Sequence, residues 1–424
     1  MTKQEAVIKF IEDNYLQFKR LRHDVVSDKL QIRLSGEEAM RLLGERQEYW
    51  REMTKHDINS IVCHCAQEYD ANITSREVMT ALQSDLIPDV HPLREYILSL
   101  PPFTPDQPDW IDWVAQQVRV KPSGEEAKGD KARGEELWRA CFKKWFVAMV
   151  ASWMKDEVVN HQVLVLIGKQ GIYKTTWLEH LIPPHLRAYA CKLANSADLN
   201  KDERLRIAEF GLISLDEIDS MNSRELNQLK SIITATDVNE RAAYAYTKER
   251  RVRLASFCAS GNRRDFLTDI TGNRRWLPFE VESIQSPFTT ILPYERMYAQ
   301  AWALAQDPFF SYWFDLDEIE VLEQHNQHFR DESNEEQLLD VYFAVPPTDA
   351  TNAKFLTTAE ISERLIYYGN IKKPMSLSRL GVLLSQKGFL SVRRGNPSRR
   401  GWIIYERESQ EVNSERSVLS KDLY

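Results

Sequence analysis

Residues 168–176 read Gly168-Lys169-Gln170-Gly171-Ile172-Tyr173-Lys174-Thr175-Thr176. They follow the apolar run VLVLI (163–167) and open the helix-like stretch TTWLEHL. Glycines between a strand and a helix let backbone N–H groups converge on an anion, and the helix N-terminus adds the positive end of its dipole. Lys174 is placed to reach the terminal phosphates of a nucleotide such as ATP, and Thr175 to hold Mg²⁺. Gly168, Gly171, Tyr173 and Thr176 complete the predicted cradle. Tyr173 stands where such loops usually carry glycine. A tyrosine tolerates positive φ poorly, so an altered loop geometry or weaker phosphate binding is expected.

A second set lies 42 positions beyond Lys174, where Ile213-Ser214-Leu215 ends in Asp216-Glu217. Asp216 at a strand end can orient a water bound to Mg²⁺, and Glu217 can act as general base toward an attacking water. The run RLASFCAS ends in Gly261-Asn262, which puts Asn262 in reach of a γ-phosphate or of that water. In ITGNRRWLPFEV, Arg274 and Arg275 sit between a Gly-Asn turn and a strand. Supplied by a neighbouring subunit, either could stabilise charge on a transferred phosphoryl group. Each element has a plainer alternative: a helix cap for Asp-Glu, a turn for Asn262, a surface ion pair for the arginines.

Elements of the right kind surround these residues. Four buried-strand candidates (163–167, 210–215, 253–260, 276–281) alternate with helical stretches, which predicts a parallel α/β sheet flanked by helices over 137–330. A helix over 137–159 carries Leu137, Cys141, Trp145, Met149 and Trp153 at fourfold spacing. Residues 1–118 read as mainly helical, with a small hairpin around KLQIRL, and the polar stretch 119–136 reads as a linker. Residues 331–407 run helix, helix, strand, turn, strand, the order of a winged-helix domain, before a polar tail at 408–424. Cys63-His64-Cys65 lacks a second ligand pair at zinc-finger spacing and reads as structural.

The chain has 424 residues with 43% hydrophobic and 28% charged, which excludes a mostly disordered protein. No apolar run approaches a membrane span, and five scattered Cys suggest free thiols in a reducing cytoplasm. The net charge of −8 hides two basic segments. Residues 241–276 hold nine Lys/Arg against three acids, and 387–407 hold six against one. In the first, a hairpin through AYAYTKERRVRL offers Tyr244 and Tyr246 for base stacking and Lys248, Arg250 and Arg251 for the phosphates of single-stranded DNA. In the second, Arg393, Arg394, Arg399 and Arg400 flank the turn of the wing, and Arg379 lies on the helix that would enter a duplex groove. The alternatives are a solvated hairpin whose arginines serve the ATP site of an adjacent subunit for the first, and a protein-interaction winged helix for the second.

Taken together, GKQGIYKTTW, LISLDEID, the ELNQLK helix, Arg241 with Tyr244 and Tyr246, ASGN and FLTDITGNRRWLPFEV resemble the virulence-associated protein E family. The resemblance covers about residues 137–281. It implies a P-loop AAA+ ATPase core similar to superfamily 3 helicases, in a homo-oligomeric ring, with six subunits expected. It also implies a role in initiating or unwinding replication of a phage, plasmid or island in a bacterial cytoplasm. Many relatives carry an attached primase; the helical reading of 1–118 leaves that to a separate protein. An ATP-driven helicase or initiator is the first expectation. The alternatives are a nucleotide-controlled DNA-binding assembly with little unwinding, which Tyr173 favours, and a P-loop kinase, which the arginine clusters disfavour.

Overall fold

The computed structural model describes residues 2–35, 49–122, 131–193, 201–240, 249–267, 273–330, 333–347, 352–394, 398–407 and 412. The chain divides into two compact units, Met1–Arg264 with Arg274–His328, and Asp265–Asn273 with Phe329–Tyr424.

In the first unit, β1 (Leu21–Asp24), β2 (Lys29–Leu34), β3 (Tyr49–Glu52) and β4 (Asp89–Val90) form a sheet in the order β3-β2-β1-β4. β1 and β2 are the antiparallel hairpin that the alternation of KLQIRL predicts. Helices Lys3–Ile11, Lys55–Tyr69 and Ser75–Leu82 pack together over an apolar cluster that includes Phe10, Ile61, Val78 and Leu82. Each of the three begins with a capping box (Thr2/Glu5, Thr54/Asp57, Thr74/Glu77), which satisfies two orphan N–H groups per helix. The region read as mainly helical thus also contains a sheet, whose β3 and β4 are too short for periodicity to register. Cys63 is exposed and Cys65 buried on one helix.

A six-stranded sheet forms the core. It comprises β5 (Val118–Val120), β6 (Val163–Ile167), β7 (Ala190–Leu193), β8 (Leu212–Leu215), β11 (Ser256–Gly261) and β12 (Trp276–Ile284) in the order β5-β12-β6-β11-β8-β7. Every pairing is parallel except that of edge strand β5 with β12. Between β8 and β11, β9 (Asp237–Glu240) and β10 (Glu249–Val252) pair as a separate antiparallel ribbon. The parallel α/β arrangement is the one that alternation predicts, although the long helix begins at Lys131, inside the stretch read as linker, and ends at Met154.

That helix is the keel of the sheet. Trp138, Phe142, Trp145, Phe146 and Trp153 are fully buried, each contributing roughly 2–3 kcal/mol of apolar burial. Their indole N–H groups find carbonyls: Trp138 donates to Ala115 (2.9 Å), Trp145 to Phe257 (3.1 Å) and Trp153 to Gly211 (3.1 Å). The last contact explains the glycine, because a Cβ at 211 would lie 2.9 Å from the Trp153 nitrogen.

Helix Leu316–Asn326 lays buried His325 against β12, with Nε2 2.7 Å from the Pro278 carbonyl oxygen. Burial pulls the His325 pKa down to about 4, and His91 is pulled to about 4 by burial as well. Both rings are therefore neutral in the fold down to about pH 4, whereas in the unfolded chain they take up protons near pH 6.5. Stability is full above that value and drains away between pH 6.5 and 4, by on the order of 3 kcal/mol per ring. Urea midpoints should fall across this window and the slope should flatten in His325→Gln; an unchanged slope would reject the assignment.

In the second unit, β16 (Arg399–Glu406) is central and pairs antiparallel with β13 (Phe343–Ala344), β14 (Lys354–Leu356) and β15 (Leu390–Arg394). Helices Asn334–Tyr342, Thr358–Gly369 and Leu377–Gln386 cover it through Leu339, Ile361, Leu365, Leu380, Leu383 and Trp402. The order of two helices and a two-stranded ribbon follows the sequence expectation. Among the described residues, no helix is long and apolar enough to cross a membrane.

Candidate active site

Three neighbouring parallel strands end on one side of the sheet: β6 runs into Gly168, β11 into Asn262 and β8 into Asp216. Their loops, with helix Lys174–His180, line a cavity of about 310 Å³. Gly168, Gly171, Tyr173, Lys174, Thr175 and Thr176 are brought to the same place as Asp216, Glu217 and Asn262 by this strand order, in which β11 separates β6 from β8. Gly168 N–H donates to the Gly261 carbonyl (3.1 Å), tying the two loops together. A Cβ at 261 would lie 2.8 Å from both Asp219 Oδ1 and Ile167 Cδ1, so this approach requires glycine.

Lys174 is almost fully buried. Its Nζ donates to the carbonyls of Gly168 and Lys169 (2.7 Å each) and to Asn262 Oδ1 (3.4 Å). Burial lowers its pKa, and the nearby carboxylates of Asp219 and Asp216 oppose that shift. The Ser260 hydroxyl donates to Asp216 Oδ1 (2.8 Å), while Thr175 Oγ1 lies 2.8 Å from Ser260 Oγ and 3.2 Å from the same carboxylate oxygen. With one proton per hydroxyl, Ser260 serves Asp216 and Thr175 can serve either neighbour. Asp216 Oδ2 receives Lys192 Nζ at 2.7 Å. Burial opposes ionisation of Asp216, but the bonds from Lys192, Ser260 and Thr175 outweigh it and hold its pKa below the usual carboxyl value. A hydroxyl and a carboxylate are hard oxygen donors, a set that suits Mg²⁺ when phosphate oxygens and water fill the remaining positions.

Two residues that line this cavity have left-handed backbone. Of the described non-glycine residues with positive φ, Asp70 and Asn370 cap helix C-termini, while Tyr173 (φ 69°) and Glu217 (φ 53°) line the cavity. Tyr173 itself adopts the left-handed conformation that glycine favours, at a cost of roughly 1–2 kcal/mol. Its ring meets Phe288 edge-on, with centroids 6.1 Å apart. Tyr173→Ala should therefore destabilise the fold by about 1 kcal/mol, because it keeps the strain and loses the ring contact. Tyr173→Gly should be near neutral by thermal unfolding. Equal losses in the two variants would show that strain is not the issue.

Sequence reasoning missed three residues here. Ser260 stands two positions before Asn262 in the same motif and was within sight. Asp219, three beyond Asp216, accepts the backbone N–H groups of Asn262 (3.0 Å) and Arg263 (3.2 Å) and so steers the Asn262 loop. Lys192 lies on β7, opposite Ser214 of β8, and has no motif to announce it.

Arg274 and Arg275 end a short 3₁₀ turn, Asn273–Arg275, just before β12. Trp276 is paired with Val163, at the start of β6, so both arginines lie at the far end of the sheet from the cavity. That separation is at least roughly 13 Å along β6. Within one chain they do not join the site.

Of the predicted DNA contacts, Tyr244, Tyr246 and Lys248 lie outside the described residues. Arg250 is in β10, opposite Asn239. Arg251 is paired with Asp28 (2.8 Å) and Glu209 (3.6 Å), so acidic groups already neutralise it. Arg253 is fully buried and donates to the carbonyls of Ala255 (3.0 Å), Asn160 (2.8 Å), Ala235 (3.3 Å) and Ile233. Burial pulls its pKa to about 9, which leaves it charged at neutral pH. It anchors the base of the β9–β10 ribbon to the C-terminal end of helix Ser223–Thr234, where a cation also opposes the helix dipole. In the second unit, Arg379 is exposed in the first turn of helix Leu377–Gln386. Arg393 faces Arg400 and Arg394 faces Arg399 across β15–β16, all four exposed. Like charges directly opposite each other are unfavourable unless an anion relieves them.

A larger cavity, about 760 Å³, lies beside the N-terminal sheet. Among its lining residues His23 lies 2.7 Å from Asp89 and 3.2 Å from Asp28, and Lys29 pairs with Glu52 (2.8 Å).

Residues 127–337, which span the long helix, the parallel strands and the cavity, match the virulence-associated protein E-like domain. This bears out the family resemblance over those residues. No curated protein matches the sequence. Among solved structures, the apo structure of the NrS-1 C-terminal region (305-718) is similar at 11% identity and a TM-score of 0.45, covering 95% of this chain and 99% of that one. The A form apo structure of the same region is similar at 10% identity and a TM-score of 0.44, covering 94% of this chain and 100% of that one.

Proposed function

We propose that the chain is an ATP-hydrolysing motor, a P-loop AAA+ ATPase of the superfamily 3 helicase type, serving replication of a mobile genetic element. The observation that carries this reading is the convergence of Lys174, Thr175, Asp216, Ser260 and Asn262 at the ends of three adjacent parallel strands, with Glu217 beside them. When bound, Mg²⁺ and ATP supply the phosphoryl group and a charge-neutralising cation. Lys174 exchanges its loop carbonyls for phosphate oxygens, and Thr175 and Asp216 hold the cation. Glu217 accepts the proton of the attacking water, and Asn262 orients that water or the γ-phosphate. Arg274 or Arg275, at the far end of the sheet, acts across a subunit interface in a hexameric ring.

In this reading Tyr244, Tyr246, Lys248 and Arg250 bind single-stranded DNA, while Arg251 and Arg253 anchor the β9–β10 ribbon. The second unit acts as a winged-helix domain, with Arg379 and the four ribbon arginines on duplex phosphates. Replacing Arg393, Arg394, Arg399 and Arg400 by Ser should make the negative slope of log affinity against log salt shallower by about 3.6 for duplex DNA. An unchanged slope removes the ribbon from the interface. A primase is supplied by a separate protein, and the work is done in a bacterial cytoplasm.

The strained Tyr173 favours a second reading, in which nucleotide drives assembly on DNA with little turnover. One experiment separates the two. ATP hydrolysis is measured with and without single-stranded DNA, and particle mass is measured with a non-hydrolysable analogue. DNA-stimulated turnover supports the motor, assembly without turnover supports the second reading, and neither response rejects both.

A further inference from the structure

We propose that Lys192 is a removable counter-ion for Asp216, which competes with a divalent cation for that carboxylate and passes to Glu179 when the cation binds. The inference rests on the nucleotide-binding reading above. Asp216 has both oxygens engaged: Oδ1 by Thr175 and Ser260, Oδ2 by Lys192 at 2.7 Å. A cation held between Thr175 and Asp216 would bring two positive charges beside the Lys192 ammonium, and repulsion would expel it. A second acceptor already stands nearby. Glu179 Oε1 is 4.0 Å from Lys192 Nζ, on helix Lys174–His180, four residues after Thr175 and so on the same face. Lys192 is 44% exposed and its stem is flexible enough to move between the two acids.

The arrangement sets a threshold. Without Lys192, Asp216 would present a bare carboxylate to any divalent cation. With Lys192 in place, a cation must arrive with phosphate oxygens that add ligands enough to displace the ammonium. Loading of metal and nucleotide is thereby coupled.

The test uses the full chain and Mn²⁺ as a probe for Mg²⁺. Bound Mn²⁺ is counted by electron paramagnetic resonance, with and without a non-hydrolysable ATP analogue. Lys192→Met should tighten Mn²⁺ binding about threefold, the scale of a partly exposed ion pair, most visibly without nucleotide. Glu179→Gln should weaken it about twofold, by stranding the ammonium on Asp216. The double variant should match Lys192→Met alone, since Glu179 acts only through Lys192. Weaker or unchanged binding in Lys192→Met, or additive effects in the double variant, would overturn the inference while leaving nucleotide binding standing. A wild-type chain that takes up neither Mn²⁺ nor the analogue would overturn both.

Discussion

Lys174→Met is expected to lower ATP turnover by about 10²–10³-fold and to weaken nucleotide binding, with thermal unfolding changed by only a few degrees. Among the described residues that line the cavity, Lys174 is the one buried cation, and its ammonium lies 2.7 Å from the carbonyls of Gly168 and Lys169. Met keeps the bulk of the stem, and the two carbonyls that lose the donor belong to the loop before the helix and not to the apolar core. The loss should therefore fall on function rather than folding. Turnover measured beside a fluorescent-nucleotide titration separates the two. Wild-type turnover in this variant would remove the loop from the chemistry.

Glu217→Gln should behave differently. Turnover is expected to fall by about 10²–10⁴-fold while nucleotide affinity stays within about twofold of wild type, because a general base acts on the water and not on the bound phosphates. The residue is exposed and its positive φ is tolerated no worse by Gln, so stability should not change. Asp216→Asn is the informative partner. Its carboxylate holds Lys192, Ser260 and Thr175 together, so its loss should disturb cation binding as well as turnover. If Glu217→Gln lost binding in parallel with turnover, Glu217 would be part of the cradle and the base would have to be sought elsewhere.

Much of the site was legible in the residues. A glycine-bearing loop between an apolar run and an amphipathic helix, and an acid pair closing a second apolar run, are local patterns. Strand and helix periodicity report them without knowledge of neighbours. Four of the six strands follow from the same alternation, whereas β5 and β7, three and four residues long, do not register in it, and the aromatic stripe of the long helix announces what covers the sheet. The boundaries were less legible: the polar composition of 119–136 hid the first turns of a helix that begins at Lys131 and leaves Ala132, Arg133, Glu135 and Glu136 exposed.

By itself, then, the sequence determined which loops would stand at strand ends and which functional groups they would carry, because turn chemistry and periodicity act over a few residues. Only the tertiary structure decided who meets whom. Placing β11 between β6 and β8 brings Ser260 to Asp216, and β7 at the sheet edge brings Lys192 to the same carboxylate. Folding also draws Arg251 to Asp28, 223 residues away, and sinks Arg253 among four carbonyls, so that two arginines of a basic run become anchors. A charge read along a chain counts equally wherever it falls. In the fold its role depends on the acceptors around it and on the water that burial removes.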